Sequence, residues 1–166
     1  MFEKIRKMKN QKGFTLVELI VVLVILAILA AMLVPALTGY IDKANDQKIK
    51  AATRQVVMAA QTEVSEAYAS KTLTNNTKIT ITGGDAADIN TEPKAAETEV
   101  SGKNIVKLAE VGKFGTGDAF EGLTNGISKI EITYTDKGHV KTVVLTQGSK
   151  TCTYQEGQDE TYTVTP

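Results

Sequence analysis

Leu19-Ile-Val-Val-Leu-Val-Ile-Leu-Ala-Ile-Leu-Ala-Ala-Met-Leu-Val34 is the stretch on which the fold turns. No charged residue occurs from Leu19 through Ile41. A helix needs about 20 mostly apolar residues to cross the hydrocarbon of a bilayer. This stretch meets that length. It is apolar on every face, so it calls for lipid or a protein-filled interior around it rather than one half-buried side.

Upstream, residues 1–13 hold Lys4, Arg6, Lys7, Lys9 and Lys12 against Glu3, a net charge of +4. The whole chain sums to zero, so the remainder carries −4. A basic start before an apolar run is the arrangement of an export or membrane-targeting segment. The basic cluster predicts a cytoplasmic N-terminus, with the C-terminal part crossing the membrane. An ordinary secretory signal cut near Ala27, Ala30 or Ala31 is opposed by the length of the run and by the helical pattern that continues beyond it.

Glu18 stands at the cytoplasmic edge of the run. A charge at the centre of a bilayer costs roughly 2.5–3.5 kcal/mol on insertion scales. At the edge the side chain can reach the interface. One reading is therefore an interfacial residue; the other is a carboxylate that meets a cation once the helix leaves lipid. The residues around it, Lys12-Gly13-Phe14-Thr15-Leu16-Val17-Glu18-Leu19, closely resemble the type IV prepilin processing site. The resemblance is strong over residues 4–50 and fades beyond.

That resemblance implies cleavage between Gly13 and Phe14 by a membrane-embedded prepilin peptidase, which also N-methylates the new N-terminal Phe14. It implies that Glu18, fifth in the mature chain, pairs with the N-terminal amine of a neighbouring subunit. Physical chemistry suits these roles. Gly13 lets the backbone approach a protease closely. A buried carboxylate left without a partner penalises docking in the wrong register.

Pro35 deletes the amide that would bond the Ala31 carbonyl, and Gly39 weakens the next turn by about 1 kcal/mol relative to Ala. Both are expected to mark a kink, which the resemblance extends to local unwinding in a filament. From about Thr38 to Ala69 the pattern turns amphipathic. Ile41, Ala44, Ile49, Ala52, Val56, Ala59, Ala60, Val64, Ala67 and Tyr68 recur mostly three or four apart, with Asp46, Lys50, Arg54, Gln61 and Ser65 between them. This half should pack against a sheet.

Residues 71–104 read as a long loop with one strand at Lys78–Thr82. Asn104–Val111 reads as a short helix ended by Gly112, and Lys113–Asn125 as irregular. Alternating β-rich runs follow at Ile130–Thr135, Val140–Thr146, Thr151–Tyr154 and Thr161–Thr165, with a hairpin turn at Asp136-Lys137-Gly138. The expectation is an α+β fold, similar to the pilin fold: a long N-terminal helix packed on a C-terminal antiparallel meander. The parts are a cleaved basic leader (1–13), a transmembrane and filament-core helix (14–37), an amphipathic helix (38–70) and a globular head (71–166).

Chemistry is sparse. His139 is the only histidine and sits in a turn; Cys152 is the only cysteine, without an evident base, and is expected to be buried. A lone thiol also rules out the intrachain disulfide that closes the C-terminal loop of many Gram-negative pilins, which suggests a Gram-positive or minor branch. Asp85, Asp88, Glu92, Glu97 and Glu99 lack the close oxygen spacing of a calcium site, and the turn from Glu156 to Glu160 is an equally weak candidate. Asn75-Asn76-Thr77 matches a short glycosylation pattern that arises often by chance. No basic stripe interleaved with aromatics points to nucleic acid. Neither an enzyme, a cofactor nor a metal is expected.

The resemblance implies a structural subunit of a type IV pilus, anchored in the membrane as a precursor and displayed on the cell surface after assembly. Its implied partners are many copies of itself, the prepilin peptidase and methyltransferase, the assembly platform in the membrane, and minor pilins. A pseudopilin of a type II secretion or DNA-uptake apparatus shares the same N-terminal segment, and an uncut membrane-anchored adhesin is the reading from a different class. Adhesion, motility and secretion are all served by this family.

Overall fold

A computed structural model describes residues 13–70, 73, 78–83, 88–92, 100–158 and 161–166. Helix α1 spans Leu16–Ala69, and the chain divides into two compact units at Lys43/Ala44. Residues 1–12 of the basic leader, the Asn75–Thr77 pattern and the acids Asp85, Glu97, Glu99, Asp159 and Glu160 lie outside the described residues.

In the first unit, α1 is exposed on every side, with Ile20, Val22, Leu29 and Val34 each close to half or more accessible. Residues 16–37 measure roughly 33 Å along a helix axis, enough to cross a hydrocarbon layer of about 30 Å. Residues 31 to 41 are all helical, through Pro35 and Gly39. Thr38 Oγ1 donates to the Pro35 carbonyl at 2.9 Å within that turn.

The second unit has one core between α1 and an antiparallel sheet. On α1 the buried residues are Ile49, Thr53, Val56, Ala59, Ala60, Glu63, Val64 and Ala67, a stripe three to four apart. The expected stripe shifts at its ends: Ile41 and Tyr68 are exposed. It also admits two polar side chains that hydropathy alone passes over. Thr53 turns its hydroxyl back to the Ile49 carbonyl at 2.8 Å, and Glu63 accepts from Asn104 Nδ2 at 3.3 Å. Each is tolerated inside because it is hydrogen-bonded.

The strands are β1 Lys78–Thr82, β2 Asp88–Glu92, β3 Gly112–Phe114, β4 Phe120–Leu123, β5 Ile127–Tyr134, β6 Val140–Gln147, β7 Lys150–Gln155 and β8 Tyr162–Thr165. A short helix, α2, spans Gly102–Leu108. The main sheet has the order β2-β1-β5-β6-β7-β8. Its last four strands are the expected meander, because each hairpin joins neighbours in sequence. Two cross-strand ranks face the helix: Ile79, Ile132, Val143, Tyr154, Tyr162, and Ile81, Ile130, Leu145, Cys152, Val164. Such opposed β-branched and aromatic pairs are what hold a sheet together.

Three expectations need correction. Residues 71–104 contribute two strands to the main sheet, not one, since β2 pairs with β1 and β1 docks on the free edge of β5. Lys113–Asn125 is not irregular: β3 and β4 form a small second sheet, with a register shift between Lys113 and Phe114 and the Phe114 and Phe120 rings 5.8 Å apart. Its strands are too short and glycine-rich to show alternation.

The third correction concerns the short helix, which starts and ends earlier than Asn104–Val111. Ser101 caps it, accepting from the Asn104 amide at 3.2 Å. The left-handed residue after it is Glu110 (φ 56°), not Gly112. What Gly112 supplies is space, because a Cβ there would lie 2.7 Å from the Phe114 ring.

Helix and sheet are joined by polar staples as well as by the core. The Gln61 amide donates to the Gly138 carbonyl at 2.7 Å, while its oxygen accepts from the Val140 amide at 3.0 Å. One side chain thus satisfies both backbone groups beside the β5–β6 turn. Gly138 has φ 80°, the left-handed geometry expected of it, and its Cα faces Tyr68 so closely that a Cβ would meet it at 3.0 Å. Lys150 Nζ meets Asp46 at 2.6 Å. Arg54 lies 5.3 Å over the Tyr162 ring, itself 5.3 Å from Tyr154.

Candidate processing and assembly site

The sequence singled out Gly13, Phe14 and Glu18; the structure places Glu18 in the first turn of α1 and Gly13 and Phe14 in the residues that lead into it. Gly13, Phe14 and Thr15 precede the helix, and Leu16 opens it. A Cβ built at Gly13 would meet nothing within 4 Å, and Phe14 is 85% exposed. The Gly13–Phe14 peptide therefore lies in non-helical, open backbone, the form in which a peptide bond can be reached.

The helix begins where it does because of its first side chains. Thr15 N–H donates to Glu18 Oε2 at 3.0 Å, and the Thr15 hydroxyl donates to the same oxygen at 2.8 Å. In return the Glu18 amide donates to Thr15 Oγ1 at 3.2 Å. This is a capping box, in which residues at the first position and three further on satisfy each other's orphan amides. It also puts a carboxylate at the positive end of the helix macrodipole. Both bonds fall on Oε2, so Oε1 stays open toward a further donor.

Thr15 was missed as a site residue, although its signal was present. Thr15-Leu16-Val17-Glu18 has the spacing of a Thr and a Glu three apart before an apolar run. Pro35 and Gly39 lie on the same helix, well separated from this turn.

Elsewhere the residues give little chemistry. Among the described residues, no group of three or more His, Cys, Asp or Glu could hold a metal. Asp88 and Glu92 belong to β2, and Glu156 follows β7. His139 is exposed in the β5–β6 turn, with Nδ1 at 3.9 Å from Glu156 Oε1. Cys152 is free and buried under α1, and burial pushes its thiol pKa up, away from the thiolate a nucleophile needs.

Residues 8–34 match the family model described as the prokaryotic N-terminal methylation motif. The chain carries the prepilin signature of type IV pilins and pseudopilins. That signature covers Gly13, Phe14, the Thr15–Glu18 box and most of the exposed apolar helix, and it stops short of Pro35. No curated protein and no solved structure matches the chain. The architecture, a long N-terminal helix followed by an antiparallel sheet, is pilin-like. The signature implies handling by a prepilin peptidase and filament assembly in general, and with the apolar helix it fits a membrane-anchored precursor.

Proposed function

We propose that this chain is the structural subunit of a type IV pilus. The observation that carries the reading is the methylation motif lying across the first part of α1, residues 16–41, where every apolar side chain is exposed and the only charge is Glu18. Residues 1–13 act as a basic leader that holds the precursor on the cytoplasmic side. The peptidase cuts between Gly13 and Phe14 and methylates the Phe14 amine. Residues 14–37 serve first as the anchor in the bilayer and then as the core of the filament, while 38–70 carry the head.

In the filament, Glu18 meets the Phe14 amine of a neighbouring copy. Its Oε2 is already engaged by Thr15, and Oε1 accepts the incoming ammonium. A charge-assisted bond of this kind in a desolvated core is strong, and a missing partner is costly, so the contact sets register. Pro35 and Gly39 give the helix its weak point for bending as copies pack. The peptidase, the assembly platform and minor pilins are the partners of these steps.

Mass spectrometry of the mature chain should find methylated Phe14 at its N-terminus. An N-terminus still carrying residues 1–13 would refute the processing and leave an uncut anchored protein. Shearing cells and imaging the released fraction should show long filaments of this chain. Processed chain that yields no long filament would instead make it a pseudopilin of a secretion or DNA-uptake apparatus.

A further inference from the structure

Among the described residues the main sheet ends in β2 on one side and β8 on the other, and the two edges differ. β2 carries Asp88 and Glu92, with Pro93 next in sequence. Charges and proline are what keep an edge strand from pairing with another chain. β8 reads Tyr162-Thr163-Val164-Thr165, with no charge, no proline and no register shift against β7.

One bond fixes where the backbone groups of β8 point. The Gln155 amide donates to the Thr161 carbonyl at 3.2 Å, so these two residues form a hydrogen-bonded pair of the β7–β8 ladder. Such pairs alternate with open ones along antiparallel strands. Thr163 and Thr165 therefore turn their amides and carbonyls to β7, while Tyr162 and Val164 turn theirs outward. Each of those two offers a donor and an acceptor, with Thr163 between them. That arrangement is self-complementary: about a two-fold axis at Thr163, Tyr162 of one copy faces Val164 of another, and the outward groups of both are paired.

The side chains agree with this axis. Tyr162 and Val164 end the two apolar ranks that face the helix, and both are only half-buried. Across the axis each rank runs on into a rank of the second copy, aromatic against β-branched, a favoured cross-strand pair. On the other face, exposed Thr163 meets its own image, with no charge to repel it.

We propose that β8 pairs antiparallel with β8 of a second copy of this chain, joining two heads edge to edge in one continuous sheet. The axis stands normal to the sheet, so it reverses the part of α1 that lies on that sheet. Heads joined this way point in opposite directions, which neighbours along one polar filament do not. On the filament reading, on which this role rests, the contact ties separate filaments side by side. Each contact is small, and many along one filament add up.

The test uses the full mature chain. Thr163→Cys should form a disulfide-linked dimer under mild oxidant, because residues facing each other in an open pair lie about 4.5 Å apart at Cα, within reach of a disulfide. Thr165→Cys, off the axis, should give at most about a fifth as much. Buried Cys152 should contribute little background. Sheared filaments of Thr163→Lys or of Thr163→Glu should each pellet at low speed at least about fivefold less than wild type, since each meets its own charge at the axis. Mixing the two separately prepared filaments at low salt should restore pelleting, which requires position 163 to meet itself between filaments. Thr163 is exposed, so neither variant should change the melting of the head.

No Thr163→Cys dimer, wild-type filaments that stay dispersed, or a mixture that pellets no better than either variant alone would overturn the pairing and leave the pilus reading intact. A wild-type chain that forms no filaments would remove the pilus reading, and the Thr163→Cys cross-link of the full chain in detergent micelles would still decide the pairing.

Discussion

The two halves of α1 share one backbone conformation and differ in everything their side chains require. From Leu16 to Ile41 no residue is buried, and the sequence is apolar all round. From Ile49 to Ala67 only a stripe is apolar, and that stripe is buried under the sheet. A helix whose whole circumference is apolar cannot be satisfied by its own chain; it takes lipid or other copies. A helix with one apolar stripe is satisfied within the chain. On the proposed function, the first half answers to processing and assembly, the second to folding.

The sharpest way to break the comparison is at the leader junction. Gly13→Leu should abolish cleavage, with the longer species accumulating in membranes on a gel, while the head folds normally. A processed chain from that variant would remove the site assignment. Next, Glu18→Ala should be cleaved and inserted but lose filament by at least about tenfold, because an ammonium is left without its carboxylate. Thr15→Val should fall between this variant and wild type, since it breaks the capping hydroxyl bonds but leaves the charge. Full filament yield from Glu18→Ala would end the register role.

In the head, the order of effects follows burial. Ile132→Ala, at the centre of the sheet, should destabilise the head by about 2–5 kcal/mol, seen as a lowered melting temperature with cleavage at Gly13 unchanged. A change in processing as large as the change in melting would show that the two halves are not independent. Gln61→Leu removes both bonds to the β5–β6 turn and should cost about 1–3 kcal/mol, because a half-buried carbonyl and amide lose their partner.

The smallest effect is electrostatic. Glu131 sits between Lys78 at 2.5 Å and Lys129 at 3.2 Å, and the Lys78 contact foremost holds its carboxyl below the usual range. A carboxyl lowered in the folded state adds stability above the unfolded pKa and loses it as pH falls through the folded one. Being partly solvated, it contributes under about 1 kcal/mol. Glu131→Gln should flatten the dependence of melting temperature on pH below about 4.5 and leave neutral pH nearly unchanged. Asp118, beside Lys107 and Lys103, is lowered in the same sense, chiefly by its hydrogen bond with Lys107.

The methylation motif and the turn that opens α1 were legible because their signals are local. Gly13, Phe14 and Glu18 stand in fixed order against an uncharged run, and the Thr15–Glu18 spacing announces a cap. The meander β5–β8 was legible because each strand alternates and each hairpin is closed by a short turn, with Gly138 at the left-handed position. By contrast, β2, β3 and β4 were not legible. They are short, poor in alternating apolar residues, and paired through contacts that propensity does not encode.

By itself, then, the sequence determined the apolar helix, its charged edge at Glu18 and the antiparallel meander, because charge, hydropathy period and turn chemistry are properties of neighbouring residues. Only the tertiary structure decided that β1 docks on β5 and carries β2 with it, that Thr53 and Glu63 are admitted to the core, that Gln61 ties α1 to the β5–β6 turn, and that β8 is left at the edge of the main sheet. Each of those depends on residues far apart in sequence being brought within bonding distance, where a polar group is accepted or an apolar one left bare according to what meets it.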